Sequence, residues 1–359
     1  MRWLLLPALL AGAGMACGAD IDAVFAPLAD AKSPGVAVLV RDHGKTVFER
    51  GYGAGIDATT DFRLASFSKQ FTAMAVMLLV HDGKLRFDER LTEIFPDFPA
   101  YGHDITIRHL LTHTAGLPDY EDLMKPETWT AAHQIQDAEV LALLKQQTAG
   151  KFPAGTSWAY SNSGYVVLGL IAGKVSGEPF GEFLRTRIFQ PLGMRRTLVY
   201  VKGRNSVPHR AYGHTKEGER FVETDQSSTS ATQGDGGIYS NLQDLAKWDG
   251  ALESHTLLSE AEMRPALTPV KLNDGSEPKW PVSPNDDNLH PGQPVAYGFG
   301  WFLDAFEGRP RMWHTGSTMG FRTAIERFTA DRTTIVVLCN RTDLNPEKLA
   351  LETFRAVIQ

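Results

Sequence analysis

Ser66-Phe67-Ser68-Lys69-Gln70-Phe71-Thr72-Ala73-Met74-Ala75-Val76-Met77-Leu78-Leu79-Val80 reads as a helix that is apolar on nearly every side from Phe71 onward. A helix without a solvent face is covered all round, so this stretch predicts the centre of a core. On its N-terminal side, Gly35 to Arg41 reads as a strand, Asp42-His43-Gly44 as a tight turn, and Lys45 to Arg50 as an antiparallel partner. Ile21, Val24, Phe25 and Leu28 before that hairpin share one helical face. On the C-terminal side come further helical stretches, Ile135 to Gln147, Gly164 to Val175 and Leu242 to Leu252.

Residues 265–294 then hold prolines at 265, 269, 278, 281, 284, 291 and 294, too many for a helix or a central strand. Beyond this connector the period returns to two: Tyr297 to Ala305, Arg311 to Thr315, Phe321 to Phe328 and Thr333 to Cys339 read as a meander, with a turn at Glu307-Gly308-Arg309-Pro310. Asn345 as cap, Pro346 at the first helical position, and Ala350, Phe354, Val357 and Ile358 on one face predict a closing helix. The expected fold is α+β: an antiparallel sheet formed by both chain ends (about 20–65 and 295–359), flanked by the terminal helices, beside a mostly helical second part (about 66–294).

The chain has 359 residues, with 36 Lys+Arg against 42 Asp+Glu and a net charge of -6. That length supplies a sizeable core without disulfides or structural metal, and an acidic balance with no long basic run excludes a phosphate backbone as a partner. Arg2 followed by the apolar stretch Trp3 to Ala13 reads as a secretory signal peptide over residues 1–19. It is too short to span a bilayer, and no later segment is long enough, so the expectation is a periplasmic or secreted protein with no transmembrane span after cleavage. Lipid anchoring through Cys17 is the less favoured variant. Cys339 ends the run Ile335-Val336-Val337-Leu338 and reads as a buried thiol rather than a disulfide partner of Cys17.

The chemistry begins at Ser66 and Lys69. Residues three apart share a helical face, which brings the amine within reach of the hydroxyl proton. Burial lowers an amine's pKa and a helix N-terminus favours developing negative charge. A second copy of the pattern, Ser276-Glu277-Pro278-Lys279, falls in the proline-rich connector where no helix aligns it. Tyr160-Ser161-Asn162 offers a proton-relaying phenol and an amide-binding asparagine, with Asn162 as the helix cap in the alternative reading. Its rival Tyr239-Ser240-Asn241 reads as capping, through Asn241 and Asp244. His314-Thr315-Gly316-Ser317 ends a strand in small residues that admit close backbone approach; a second His-x-Gly at His290 lies in the connector, and taken alone His314 reads as a structural histidine rather than a catalytic one. His109 and His113, four apart, lack the Glu and the third ligand of a zinc site, so no metal and no cofactor are expected.

Ser66-x-x-Lys69, Tyr160-Ser161-Asn162 and His314-Thr315-Gly316, in that order, resemble the serine β-lactamase and penicillin-binding protein superfamily over essentially the whole mature chain. The branch is that of class C β-lactamases, D-alanyl-D-alanine peptidases, D-amino-acid peptidases and related esterases. Thr106 to Pro118, Gly236-Gly237-Ile238-Tyr239-Ser240 and Tyr297-Gly298-Phe299-Gly300-Trp301 are similar to it as well. The resemblance implies Ser66 as acylated nucleophile, Lys69 and Tyr160 as its proton-transfer partners, and Asn162 as a substrate contact. It also implies His314, Thr315, Gly316 and Ser317 as the substrate-binding strand, with an oxyanion hole from the N–H groups of Ser66 and Ser317. One departure matters. His314 stands where β-lactamases of the superfamily carry Lys, and an imidazole of ordinary pKa, about 6.5, is mostly uncharged at pH 7. The expectation is an exported serine hydrolase forming an acyl-enzyme on a small-molecule ester, peptide or β-lactam-like substrate. The alternatives are a D-alanyl-D-alanine carboxypeptidase, a weak class C-like β-lactamase, and a non-catalytic cell-wall peptide-binding protein.

Overall fold

The computed structural model describes residues 18, 20–282 and 291–358. The leader read over residues 1–19, Gly18 excepted, and His290 lie outside the described residues, as does Cys17.

Six strands, β1 (Val36–Asp42), β2 (Lys45–Tyr52), β3 (Phe302–Phe306), β4 (Arg309–Thr318), β5 (Phe321–Phe328) and β6 (Thr333–Cys339), form one sheet in the order β2-β1-β6-β5-β4-β3. Every pairing is antiparallel, and β1 joins β6 from Val36↔Cys339 to Asp42↔Thr333. The two chain ends therefore meet at the middle of the sheet. Alternation along a strand sends side chains to opposite faces. Val36, Val38, Val40, Ile335, Val337 and Cys339 pack with Ile21, Phe25, Ala350 and Phe354 of the terminal helices. Ala37, Leu39, Val336 and Leu338 instead join the large core on the opposite face. Burial on both faces is why β6 is an unbroken apolar run, and it leaves Cys339 a fully buried free thiol.

Residues 20–25 are helical, and the chain closes with a helix over Pro346–Ile358. Asn345 caps it by accepting a hydrogen bond from the Lys348 N–H at 2.9 Å, and Phe354 stacks on Phe328. Ile358, expected on the buried face, is 40% exposed, whereas Val357 before it still packs against the core beneath the helix.

The other face of the sheet carries the helix over Lys69–His81, called α1, with α2 (Asn162–Ser176) and α3 (Leu242–Glu253). Residues 69–79 are all buried, as an apolar helix requires. The middle of the chain is less helical than expected. Phe62–Arg63, Ile238–Ser240 and Leu198–Val199 make a small sheet, and His214–Glu217 pairs with Arg220–Glu223 as a hairpin. These strands are too short for a period to show in the sequence. Tyr297 to Trp301 is not strand either: Gly300 takes φ 77, a left-handed conformation that ends pleating, and the position of a Gly298 Cβ would be 1.9 Å from the Ala266 carbonyl oxygen. Among the described residues no helix is long and apolar enough to cross a membrane.

Candidate active site

Between Thr60 and Leu79 every residue is buried except Ser66. Local geometry produces that exception. Ala65 adopts φ 52, a strained region for a residue with a Cβ, and the chain turns there into a 3-10 turn over Ala65–Ser68 that feeds α1. The turn is clamped on both sides. The Leu64 N–H donates to the Ile238 carbonyl at 2.9 Å, and the Leu64 carbonyl accepts from the Thr323 hydroxyl of β5 at 2.8 Å. The residues at the N-cap positions of this turn and of α1, Leu64 and Ser68, make no side-chain cap hydrogen bond, and the Ser66 hydroxyl instead meets Lys69.

Lys69 follows one turn later with its Nζ 3.0 Å from Ser66 Oγ, 2.8 Å from Asn162 Oδ1 and 3.0 Å from the Asp235 carbonyl oxygen. The side chain is fully buried. Burial pulls its pKa from the usual 10.5 down to about 8, against the opposing pull of Asp235, Asp119 and Glu121. The amine is also 4.8 Å from the centre of the Tyr160 ring.

Tyr160 and Asn162 reach this point because α2 begins beneath them. Ser161, not Asn162, is the cap: its Oγ accepts from the Gly164 N–H at 3.0 Å, freeing the Asn162 amide to bridge Lys69 and Glu121, to which its Nδ2 donates at 3.3 Å. The Tyr160 hydroxyl is buried without a hydrogen bond. Burial drives its pKa well above 10, with Ser66 as the polar neighbour that pulls it back. The rival Tyr239 is structural: its hydroxyl accepts from Arg210 at 2.8 Å, and Asn241 caps α3 through the Asp244 N–H. Ser276 of the second Ser-x-x-Lys copy is bonded to exposed Asp274.

His113 was not expected to take part. The helix over Ile107–Leu111 ends before it, so it shares no face with His109, which instead joins the cap at Thr106. Its Nδ1 accepts from the Ser161 N–H at 3.0 Å and its ring lies 4.4 Å from that of Tyr160. Among the described residues no three His, Cys, Asp or Glu side chains are grouped to hold a metal.

β4 forms the other wall. Its pairing with β3 stops at Trp313, so residues 314–318 are bonded to β5 on one side, and among the described residues no strand pairs with their other edge. Gly316 permits the approach: a Cβ there would lie 2.1 Å from the Leu64 carbonyl oxygen and 3.2 Å from Ala65 Cβ. Thr315 is half-buried and Ser317 exposed.

His314 departs from its expected place as a substrate contact. It is 1% exposed, with Nε2 3.1 Å from the Tyr297 hydroxyl and Nδ1 2.6 Å from the Thr315 carbonyl. Burial first, then the neighbouring Lys69, pulls its pKa down to about 3. Alternation along β4 turns its side chain into the aromatic layer behind Tyr160. It is a neutral ring there, without a charge to offer a substrate.

Glu121, Asp119 and Asp235 were also missed, since in sequence they look like solvated acids of a short helix and a loop. The Beta-lactamase family model matches residues 21–359. The chain belongs to the Beta-lactamase family. Penicillin-binding protein 4* of Bacillus subtilis is 31% identical over 85% of this chain and 67% of its own length. A D-aminopeptidase of Gluconobacter oxydans is 26% identical over 86% of this chain. The chain spans only 56% of the length of that second relative. In fold, the D-amino acid amidase of Ochrobactrum anthropi matches with a TM-score of 0.77 at 23% identity, over 94% of this chain and 98% of its own. The protein is a serine hydrolase of the Beta-lactamase family.

Proposed function

We propose that the protein is an exported hydrolase that forms an acyl-enzyme at Ser66 on small ester or amide substrates. The observation that carries this reading is the hydrogen-bonded Ser66, Lys69 and Asn162 at the one accessible point of a buried helix start. Lys69 in its neutral form accepts the Ser66 Oγ proton as Oγ bonds to the substrate carbonyl carbon. The oxyanion forms against the backbone N–H groups of Ser66 and Ser317. Tyr160 stays a neutral phenol, which suits it to pass a proton to the leaving amine or alkoxide while taking one from the Lys69 ammonium. Water then attacks the ester carbonyl with the same groups reversed, releasing the acid and restoring Ser66.

Export rests on the apolar leader over residues 1–19. The relatives' names include both penicillin binding and aminopeptidase activity. The absence of a cation at His314 favours esters and amides over β-lactams and peptides that present a free carboxylate. A fluorophosphonate probe should add to Ser66 by intact mass and peptide mapping, and Ser66→Ala should lose labelling and ester turnover together. Labelling at Ser68 or Ser276, or turnover that survives Ser66→Ala, removes the assignment.

A further inference from the structure

We propose a second, non-catalytic ligand site behind the active site, in the cavity between the C-terminal half of α2 and the segment 178–205, for an acylated anion: an apolar chain joined through a carbonyl to an anionic end.

The cavity measures about 1450 Å³, above the roughly 300–1,000 Å³ of common small-molecule sites. None of Ser66, Lys69, Tyr160 or the 314–317 stretch lines it. Gln233 does, and the next two residues serve the other side. The Gly234 carbonyl accepts from the Thr72 hydroxyl of α1 at 2.6 Å, and the Asp235 carbonyl accepts from Lys69 at 3.0 Å. Cavity and active site are thus divided by the backbone of residues 233–235. Room is left because Gly173, Gly177 and Gly193 line the space without side chains; a Cβ at either of the last two would meet nothing within 4 Å.

Three features specify the occupant. Leu170, Phe180, Phe189, Met194 and Leu198 supply apolar walls, which suit an acyl chain. The charged lining is Lys174, Arg185, Arg195 and Arg204 against Glu178 and Glu182. Arg185 is paired with Glu182, whereas Lys174, Arg195 and Arg204 have no carboxylate partner among the described residues. Lys174 instead holds its Nζ 4.9 Å from the centre of the Phe95 ring, which also lines the cavity. An excess of positive charge therefore surrounds one cavity of a chain whose net charge is -6, and an anion complements it.

The third feature is a buried acid that the acyl-enzyme chemistry does not use. Asp137, 8% exposed, opens the helix over Asp137–Lys145 and lines the cavity. Its Oδ1 accepts from the Gln233 N–H at 3.0 Å. Its Oδ2 makes no hydrogen bond among the described residues, yet it is not sealed within the protein as Asp235 Oδ1 is. Burial, reinforced by Asp235, raises the Asp137 pKa to about 8, so at pH 7 the side chain is mostly a neutral acid whose O–H lacks an acceptor. An unmet donor costs free energy, and a ligand carbonyl meets it.

The test measures Kd by calorimetry for N-dodecanoylglycine, kept below its micelle concentration, on the full chain carrying Ser66→Ala to remove turnover. One-to-one binding is expected, with N-dodecanoylglycinamide, which keeps the chain and the carbonyl but not the charge, weaker by about 10- to 100-fold. Arg195→Glu with Arg204→Glu, both at exposed positions, should weaken the acid by a similar factor and leave the amide within about threefold. Leu198→Trp, which fills the cavity, should weaken both. Asp137→Asn keeps a donor and should bind within about threefold, whereas Asp137→Leu should lose about tenfold. Free N-acyl amino acids and single-chain phospholipids share this chemistry, and a lysophosphatidylglycerol of the same chain length binds tighter than the glycine conjugate if the source is lipid and weaker if it is an N-acyl amino acid. No one-to-one binding of either probe below about 1 mM, equal affinity for acid and amide, or affinity that survives both the arginine exchange and Leu198→Trp overturns the site.

Discussion

Lys69 as the base requires a particular pH dependence of acylation. Its ammonium is buried and loses solvation, so its pKa falls to about 8. At pH 7 roughly 10% of such an amine is neutral, against about 0.03% for a lysine of ordinary pKa, so burial supplies about 300 times more free base. Only the neutral amine accepts the Ser66 proton, so activity rises with pH. The neutral fraction climbs from roughly 1% at pH 6 to about half at pH 8, a gain of about 50-fold in kcat/KM, with a plateau above. The assay is kcat/KM for p-nitrophenyl butyrate from pH 5.5 to 9.5, since this substrate does not titrate and kcat/KM reports acylation even when deacylation limits turnover. Lys69→Arg, always charged, should remove the rising limb along with nearly all activity. Glu121→Gln should move the midpoint lower, because the Glu121 carboxylate is among the groups holding the ammonium charged. A profile flat between pH 6 and 9, a midpoint below 6, or a limb that persists in Lys69→Arg would refute the assignment of the base.

Three further outcomes follow from the same geometry. Tyr160→Phe should slow acylation by about 10² to 10⁴, measured by single-turnover probe labelling, whereas Tyr239→Phe should cost stability through the lost Arg210 contact and leave acylation within about threefold; the reverse pattern would assign the wrong tyrosine. His314 should show no titration of its imidazole C–H resonances between pH 5 and 8 by NMR, since burial holds it neutral far below that range; a midpoint near 6.5 would show a solvated ring facing the cleft. Gly316→Ala places a Cβ against the Leu64 carbonyl, so we expect a loss of at least about 1 to 3 kcal/mol of stability in denaturant with slower Ser66 labelling, and an unchanged midpoint would mean that β4 does not pack on the nucleophile turn.

Much of the architecture is legible in the chain because it rests on local periods. The unbroken apolar run of β6 and the alternating hairpin of β1 and β2 announce a sheet made of both ends, and the all-round apolar surface of α1 announces the core. The same runs placed Ser66 and Lys69 one turn apart, since i and i+3 on a helix are neighbours whatever surrounds them. Tertiary structure decided what depends on burial and on distant partners. His314 carries no local sign that both its nitrogens would be taken by Tyr297 and Thr315. Nothing in Asp119-Tyr120-Glu121 or in Gly234-Asp235-Gly236 shows that these acids converge on Lys69 from segments more than a hundred residues apart. Periodicity reports which face of an element is apolar. The charge state of a side chain depends on the field and the solvent around it, and those exist only once the chain has folded.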